Sequence, residues 1–251
     1  MQNNEMGGIR MSDIKKLQEM VDSSSKIVFF GGAGVSTESG IPDFRSVDGL
    51  YHQKYAYEPE QILSRSFFWS KTEEFYRFYR DKMLYLDAKP NAAHRKLAEL
   101  EGAGKLTAVI TQNIDGLHQK AGSRKVLELH GSVLRNYCSD CGTFYEAEYI
   151  LRTEGVPRCE CGGIIKPDVV LYEEALDDQL LDEALAYITD ADMLIIGGTS
   201  LVVYPAAALV NYYEGNKLVV INRTPSYMDH RANLFIQGNI GEVLGDIRVG
   251  N

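Results

Sequence analysis

Three groups of residues in this chain have types and spacings that could do chemistry. The first is Gly31 to Arg45, reading GGAGVSTESGIPDFR. Glycines directly after an apolar run let the backbone turn sharply and come close to a ligand. A helix starting at Val35–Ser36 would aim its free N–H groups at a phosphate placed over that turn. The stretch is not the usual dinucleotide fingerprint, because Thr37 stands where the third glycine of G-x-G-x-x-G would fall. Pro42 stops any helix within about two turns, since it lacks an N–H and clashes with the preceding turn. The chain must then leave irregularly through Asp43, Phe44 and Arg45. Taken alone, the glycines fit a tight turn in an α/β fold equally well.

The second group is Gln112-Asn113-Ile114-Asp115 together with His130. Each stands at the end of an apolar, strand-like run. An amide, a carboxylate and an imidazole are suited to orienting a substrate and moving a proton, and an imidazole titrates near neutral pH. A lone histidine at a strand end also fits a purely structural role. The third group is cysteine: Cys138-x-x-Cys141, then seventeen residues, then Cys159-x-Cys161. Two close pairs at this separation resemble a Cys₄ zinc ribbon. Four thiolates leave zinc no open position, so the metal would be structural. Disulfides are the alternative, which a cytosolic chain disfavours.

These groups need elements to hold them. Apolar runs at 27–30, 106–111, 126–129, 168–172, 193–196 and 218–221 read as strands. Helical spacing marks 12–21, 91–100, 177–188 and 204–213. Between 49 and 89 the chain is aromatic and helical in character, with Ser70-Lys71-Thr72-Glu73 as a possible capping box, or an earlier helix start, since Phe67, Phe68 and Trp69 precede it. Its rings (Trp69, Phe75, Tyr76, Phe78, Tyr79) read as core. Strands alternating with helices predict a parallel sheet covered on both faces, and such sheets bind ligands at the carboxyl ends of their strands. Five of these ends carry polar or glycine-rich residues: Gly31–Gly34, Gln112–Asp115, His130, Gly197–Ser200 and Asn222.

Composition bounds the function. A net charge of −9 over 251 residues argues against a nucleic-acid binder and suits a basic partner such as a lysine-rich peptide. No apolar run approaches the roughly 20 residues of a membrane-spanning helix. The first ten residues are polar and read as a loose tail without a secretory signal. The cytoplasm is the expected compartment.

Taken together, GAGVS…SGIPDFR, TQNID, His130-Gly131, the cysteine pairs and Gly198-Thr199-Ser200-Leu201 stand in the order of the sirtuins. The chain resembles that family of NAD-dependent protein deacylases over residues 12 to 247, and is most similar to its compact bacterial deacetylases. The resemblance implies an α/β fold: a Rossmann-like parallel sheet with helices on both faces (12–50, 91–135 and 166–251), a helical insert (51–90), a small zinc-ribbon lobe (136–165) and a tail at 1–11. It implies NAD as co-substrate, held by Gly32, Ala33, Gly34, Thr37, Phe44, Arg45, Gln112, Asn113, Ile114, Asp115, His130, Thr199, Ser200, Asn222 and Ile240. Asn222 would hold the adenosine ribose, and Phe44 would exclude water from the reacting sugar carbon. His130 would be the general base, with Asn113 and Asp115 completing the catalytic set. One structural zinc ion would sit on Cys138, Cys141, Cys159 and Cys161.

The resemblance further implies acetyl-lysine peptides as partners, paired as an added strand against Val169, Val170 and Leu171. No nucleic acid or membrane is expected to bind, and the chain is expected to be a monomer. The products would be free lysine, nicotinamide and 2′-O-acetyl-ADP-ribose. Many relatives have Phe-Phe-Gly-Glu where this chain has Leu171-Tyr172-Glu173-Glu174. The Tyr and Arg, three apart, of desuccinylating relatives have no match here. Tyr51 with Lys54, or Tyr55 with Glu58, comes nearest, so small neutral acyl groups are expected.

Overall fold

The computed structural model describes residues 5–6, 9–43 and 56–250. Six parallel strands form the main sheet: β1 (Ile27–Gly31), β2 (Leu106–Thr111), β3 (Val126–Glu128), β7 (Met193–Gly197), β8 (Leu218–Asn222) and β9 (Leu234–Gln237). Their order is β9-β8-β7-β1-β2-β3. The chain leaves β1 toward β2 and later returns to β7 on the opposite side. The switch point of the sheet therefore lies between β1 and β7, which is where such sheets open a crevice.

The strands read as continuous apolar runs because both faces are buried. Successive side chains in β1 go to opposite sides. Ile27 and Phe29 join a core with α1 (Met11–Asp22), α5 (Ala92–Gly102) and α9 (Ile240–Gly245). Val28 and Phe30 join a second core with α8 (Asp178–Asp190) and a 3₁₀ helix at Ala206–Tyr212. Met193/Ile195 and Leu194/Ile196 of β7 split the same way.

A second, antiparallel sheet has the order β5-β4-β6, from β4 (Gly131–Cys138), β5 (Phe144–Glu146) and β6 (Ile165–Val169). It packs against α2 (Pro59–Ile62), α3 (Arg65–Ser70) and α4 (Thr72–Lys82) through a third core. Phe68, Phe75, Tyr76 and Tyr79 are fully buried there. At about 1.5–3 kcal/mol for each large apolar side chain, these rings join the insert to the cysteine lobe as one unit. The Tyr76 hydroxyl adds a bond to the Ile165 carbonyl. α6 (Leu117–Ala121) and α7 (Ala147–Arg152) complete the helices. Among the described residues, no helix is long and apolar enough to cross a membrane.

Several expectations change. Of the run at 168–172 only Asp168 and Val169 are in a strand, the end of β6, which begins at Ile165 and pairs antiparallel with β4 outside the parallel sheet. The helix expected at 204–213 is a 3₁₀ helix. No α-helix follows the first glycine turn. Two three-residue 3₁₀ turns, Ala33–Val35 and Thr37–Ser39, stand there instead, closed by Gly40 at φ 84°. Pro42 and a left-handed glycine leave too little chain for α-helical bonding. Ser70 caps nothing and donates to the Ser66 carbonyl (2.8 Å). The helix begins earlier, capped by Ser64, which accepts from the Phe67 amide (3.2 Å). Trp69 is 45% exposed, unlike its neighbouring rings. The segment read as a tail pairs Glu5–Met6 with Ile9–Arg10, and Ile9 is buried.

Candidate functional site

Two glycine loops meet at the carboxyl ends of β1 and β7. Gly34 donates to the Gly198 carbonyl (2.8 Å) and Gly32 to the Gly197 carbonyl (3.3 Å). A Cβ on Gly34 would lie 2.8 Å from Gly198 Cα, so this close approach requires glycine. Beside them Asn222, at the end of β8, spends both ends of its buried amide on Thr199. It accepts from the Thr199 amide and donates to the Thr199 carbonyl, each at 3.0 Å. Gln112 donates to Thr199 Oγ1 (3.1 Å). The loop at 198–200 is thus fixed from two strands.

After β2 the chain places Asn113 and Asp115 on a common partner, Ser36. Asn113 Nδ2 donates to Ser36 Oγ (3.1 Å), and Ser36 Oγ donates to Asp115 Oδ2 (2.6 Å). Asp115 Oδ1 accepts from the Leu117 amide (2.9 Å). Burial raises the Asp115 pKa, and the bonds from Ser36 and Leu117 oppose that rise. Ser36 is fully buried and carries this chain of bonds. Its type and its place within GAGVS do not by themselves assign it that role.

His130 is held by its backbone surroundings. Its Nδ1 lies 3.0 Å from the Gln112 carbonyl, which can only accept. Nδ1 therefore carries the proton, and Nε2 is left as the basic nitrogen. Burial lowers the His130 pKa, partly offset by that bond. Gly131 follows at φ 74°, where a Cβ would come within 2.0 Å of the Asp168 carbonyl. A glycine is required after the histidine because β4 starts hard against β6.

All these groups line one cavity of about 440 Å³ at the switch point. It brings together Gly32, Ala33, Gly34, Thr37, Gln112, Asn113, Ile114, Asp115, His130, Thr199, Ser200, Asn222 and Ile240, and reaches Val169, Val170 and Leu171. Phe44 and Arg45 lie outside the described residues, as do Tyr51, Lys54 and Tyr55. The Asn222 amide braces the Thr199 loop with one N–H and its oxygen, which leaves a second N–H and a second lone pair. The amides of Val170 and Leu171 bond the His130 carbonyl (3.0 Å) and Glu174 Oε2 (2.9 Å), and β6 pairs with β4 on one side only.

Sequence reasoning missed Arg223, whose guanidinium pairs with Asp43 (3.1 Å) at the cavity wall, and Val202, Val203 and Tyr204, which also line the cavity. A basic residue directly after Asn222 was the available signal for Arg223. His94 and His118 do not line the cavity. They pack on each other with ring centroids 4.7 Å apart.

The four cysteine sulfurs lie within 4.8 Å of one another, with Cys138–Cys161 at 3.4 Å and Cys141–Cys159 at 3.5 Å. These separations are too long for disulfides, whose sulfurs sit about 2.05 Å apart. A tetrahedral zinc with Zn–S of about 2.3 Å places its sulfurs about 3.8 Å apart. The donor set and spacing fit zinc.

Residues 32–205 match the model of the Sir2 family. The chain is 60% identical over 238 residues to an NAD-dependent protein deacetylase of Clostridium perfringens, covering 93% of this chain and 98% of that one. It is 44% identical over 237 residues to the deacetylase of the same name from Staphylococcus aureus, covering 93% and 97%. A solved Sir2 variant with a deacetylated peptide and 3′-O-acetyl ADP-ribose superimposes with a TM-score of 0.86 at 40% identity, covering 93% of this chain and 96% of that one. A Sir2 variant with peptide and NAD gives 0.82 at 40% identity, covering 92% and 95%.

Proposed function

The chain belongs to the Sir2 family and is an NAD-dependent protein deacetylase; from that premise we propose which of its residues carry the reaction. NAD, when bound, supplies a ribose carbon whose bond to nicotinamide breaks and which the acetyl oxygen of the substrate lysine then captures. The glycine turn Gly32–Gly34 with Thr37, Thr199 and Ser200 holds the diphosphate. Asn222 holds the adenosine ribose while its amide also braces the Thr199 loop, and Ile240 borders the adenine. Asp115 and the Ile114 backbone grip the nicotinamide amide, while Asn113 orients the ribose. Positioning of this kind supplies much of the rate, because a weak carbonyl nucleophile must be held at the reacting carbon.

His130 is the general base. With Nδ1 bonded to the Gln112 carbonyl, Nε2 accepts the proton of a ribose hydroxyl so that the hydroxyl can take the acetyl group. The observation that carries this reading is His130, its Nδ1 3.0 Å from the Gln112 carbonyl, in the same cavity as Asp115 and both glycine loops. The peptide pairs as an added strand along Val169, Val170 and Leu171, which line the acetyl-lysine channel, and Phe44 and Arg45 act on the NAD side. The four cysteines hold one structural zinc. The protein works as a cytoplasmic monomer on acetylated protein segments, with no nucleic acid as partner.

Incubation with an acetyl-peptide panel and NAD, followed by mass spectrometry, should yield deacetylated peptide, nicotinamide and O-acetyl-ADP-ribose. Nicotinamide release that needs no peptide would point instead to NAD hydrolysis in the same cavity.

A further inference from the structure

Glu173 has a conformation that its residue type does not explain. It is one of two non-glycine residues with positive φ among the described residues, at 73°. L side chains adopt that region reluctantly. It persists where the surroundings over-determine it. Here the surroundings are specific. Both carboxylate oxygens are occupied by one residue of the helical insert: the Ser66 amide donates to Oε2 (2.8 Å) and Ser66 Oγ to Oε1 (2.9 Å). The backbone on either side repeats the attachment. The Arg65 amide donates to the Tyr172 carbonyl (2.9 Å), and the Tyr172 amide to the Leu63 carbonyl (3.0 Å).

The segment so attached is a wall of the cavity. Leu171, Tyr172, Glu173 and Glu174 all line it. Its other end is tied down separately, by Glu174 to the Leu171 amide (2.9 Å) and to Lys166 Nζ (3.0 Å). A glycine at 173 would reach the same φ without strain but could not touch Ser66. What the glutamate adds is therefore the charged bridge to the insert.

We propose that Glu173 is a positioning residue for the acetyl-lysine peptide: its carboxylate clamps the 171–174 wall to Ser66 and so fixes the width of the substrate channel. The clamp rests on the reading of this cavity as the peptide site. It acts on the peptide side alone, because its bonds run to the insert and not to the glycine loops, Asn113, Asp115 or His130.

The test compares the parent with Glu173→Gly, Glu173→Gln, Ser66→Ala and the Glu173→Gly/Ser66→Ala double variant. Steady-state kinetics with acetyl-peptide and NAD, and amide hydrogen exchange at 171–174, are read on each. Glu173→Gly should raise the peptide KM roughly fivefold or more, with kcat and the NAD KM within about twofold. Amide protection at 171–174 should fall, although the fold's melting temperature holds because strain is relieved. Glu173→Gln keeps an acceptor for the Ser66 amide and should restore most of the peptide KM. The double variant should be no worse than Glu173→Gly alone. Unchanged exchange at 171–174 in Glu173→Gly overturns the clamp whether or not the enzyme turns over. So does an unchanged peptide KM, or a parallel rise in the peptide and NAD KM. A parent without peptide-dependent nicotinamide release overturns the deacetylase reading instead.

Discussion

At the scale of single residues, the site is a set of side chains whose partners fix their chemistry. His130 is neutral at pH 7, since burial holds its pKa below 6.5. Its free base is the working form, so turnover should hold down through the ordinary histidine value of about 6.5, fall only at pH below it, and show no His130-dependent loss above it. A pH profile of kcat/KM for the acetyl-peptide checks this. Replacing His130 with Ala should abolish deacetylation while leaving NAD binding by calorimetry intact. Ser36 is the link between Asn113 and Asp115. Ser36→Ala should lower kcat/KM for NAD by about tenfold or more, the usual effect of leaving buried polar groups unpaired, and single-turnover nicotinamide release would measure it. The residue types at the site were legible in the sequence, because TQNID and His130 end apolar runs. Ser36 was hidden, since its role comes from β1 and β2 lying side by side.

At the scale of elements, α5 and α6 carry an acid-sensitive contact. His94 and His118 are buried against each other, and neither ring nitrogen of His118 has a hydrogen-bond partner among the described residues. Burial lowers the His94 pKa to about 4 and the His118 pKa to about 3. The unfolded chain binds these protons near pH 6.5 and the folded one does not. Folding is therefore unaffected by the pair above that value and loses stability as pH falls from 6.5 toward 4. Each histidine that stays unprotonated costs roughly 1.4 kcal/mol for every tenfold rise in proton concentration. Thermal melts should show a steep acid decline, and His118→Leu should flatten it without loss of stability at pH 7.

The helices with apolar spacing or a capping residue were readable: Asn91 caps α5, and Asp177 accepts from the Leu180 amide at the start of α8 (3.0 Å). The elements that were not readable are those that tertiary contacts dictate. β9 has only three consecutive apolar residues and forms because β8 offers it an edge. The turns at 33–39 follow the neighbouring Gly198 loop and not helical propensity.

At the scale of the molecule, one strand joins the two halves. β4 starts immediately after His130 and ends at Cys138. Arg135, midway along it, reaches Glu128 of β3 (2.8 Å) and Asp168 of β6 (2.7 Å). The glycine loops, Asn113 and Asp115 stand at the ends of the parallel strands, with one bond from β4, the Val133 amide to the Ile114 carbonyl (2.9 Å), whereas the peptide wall at 169–174 hangs from β6 and the insert. The paired cysteines announced the lobe in the sequence. That the lobe and the aromatic insert share one core was not legible, because rings at helical spacing do not name their partner.

Metal removal should consequently act unevenly. A chelator that strips zinc leaves four thiols at the end of β4 with nothing to hold them together, since a structural site contributes folding energy outright. β6 and its attached wall should loosen, while the strand ends that hold NAD keep their bonds. Deacetylation should be lost on chelation and return with added zinc. NAD affinity, measured by calorimetry on the same sample, should change far less than peptide affinity. An equal loss of both would mean that the zinc lobe supports the parallel sheet as well, and that the division drawn between β4 and its neighbours is wrong.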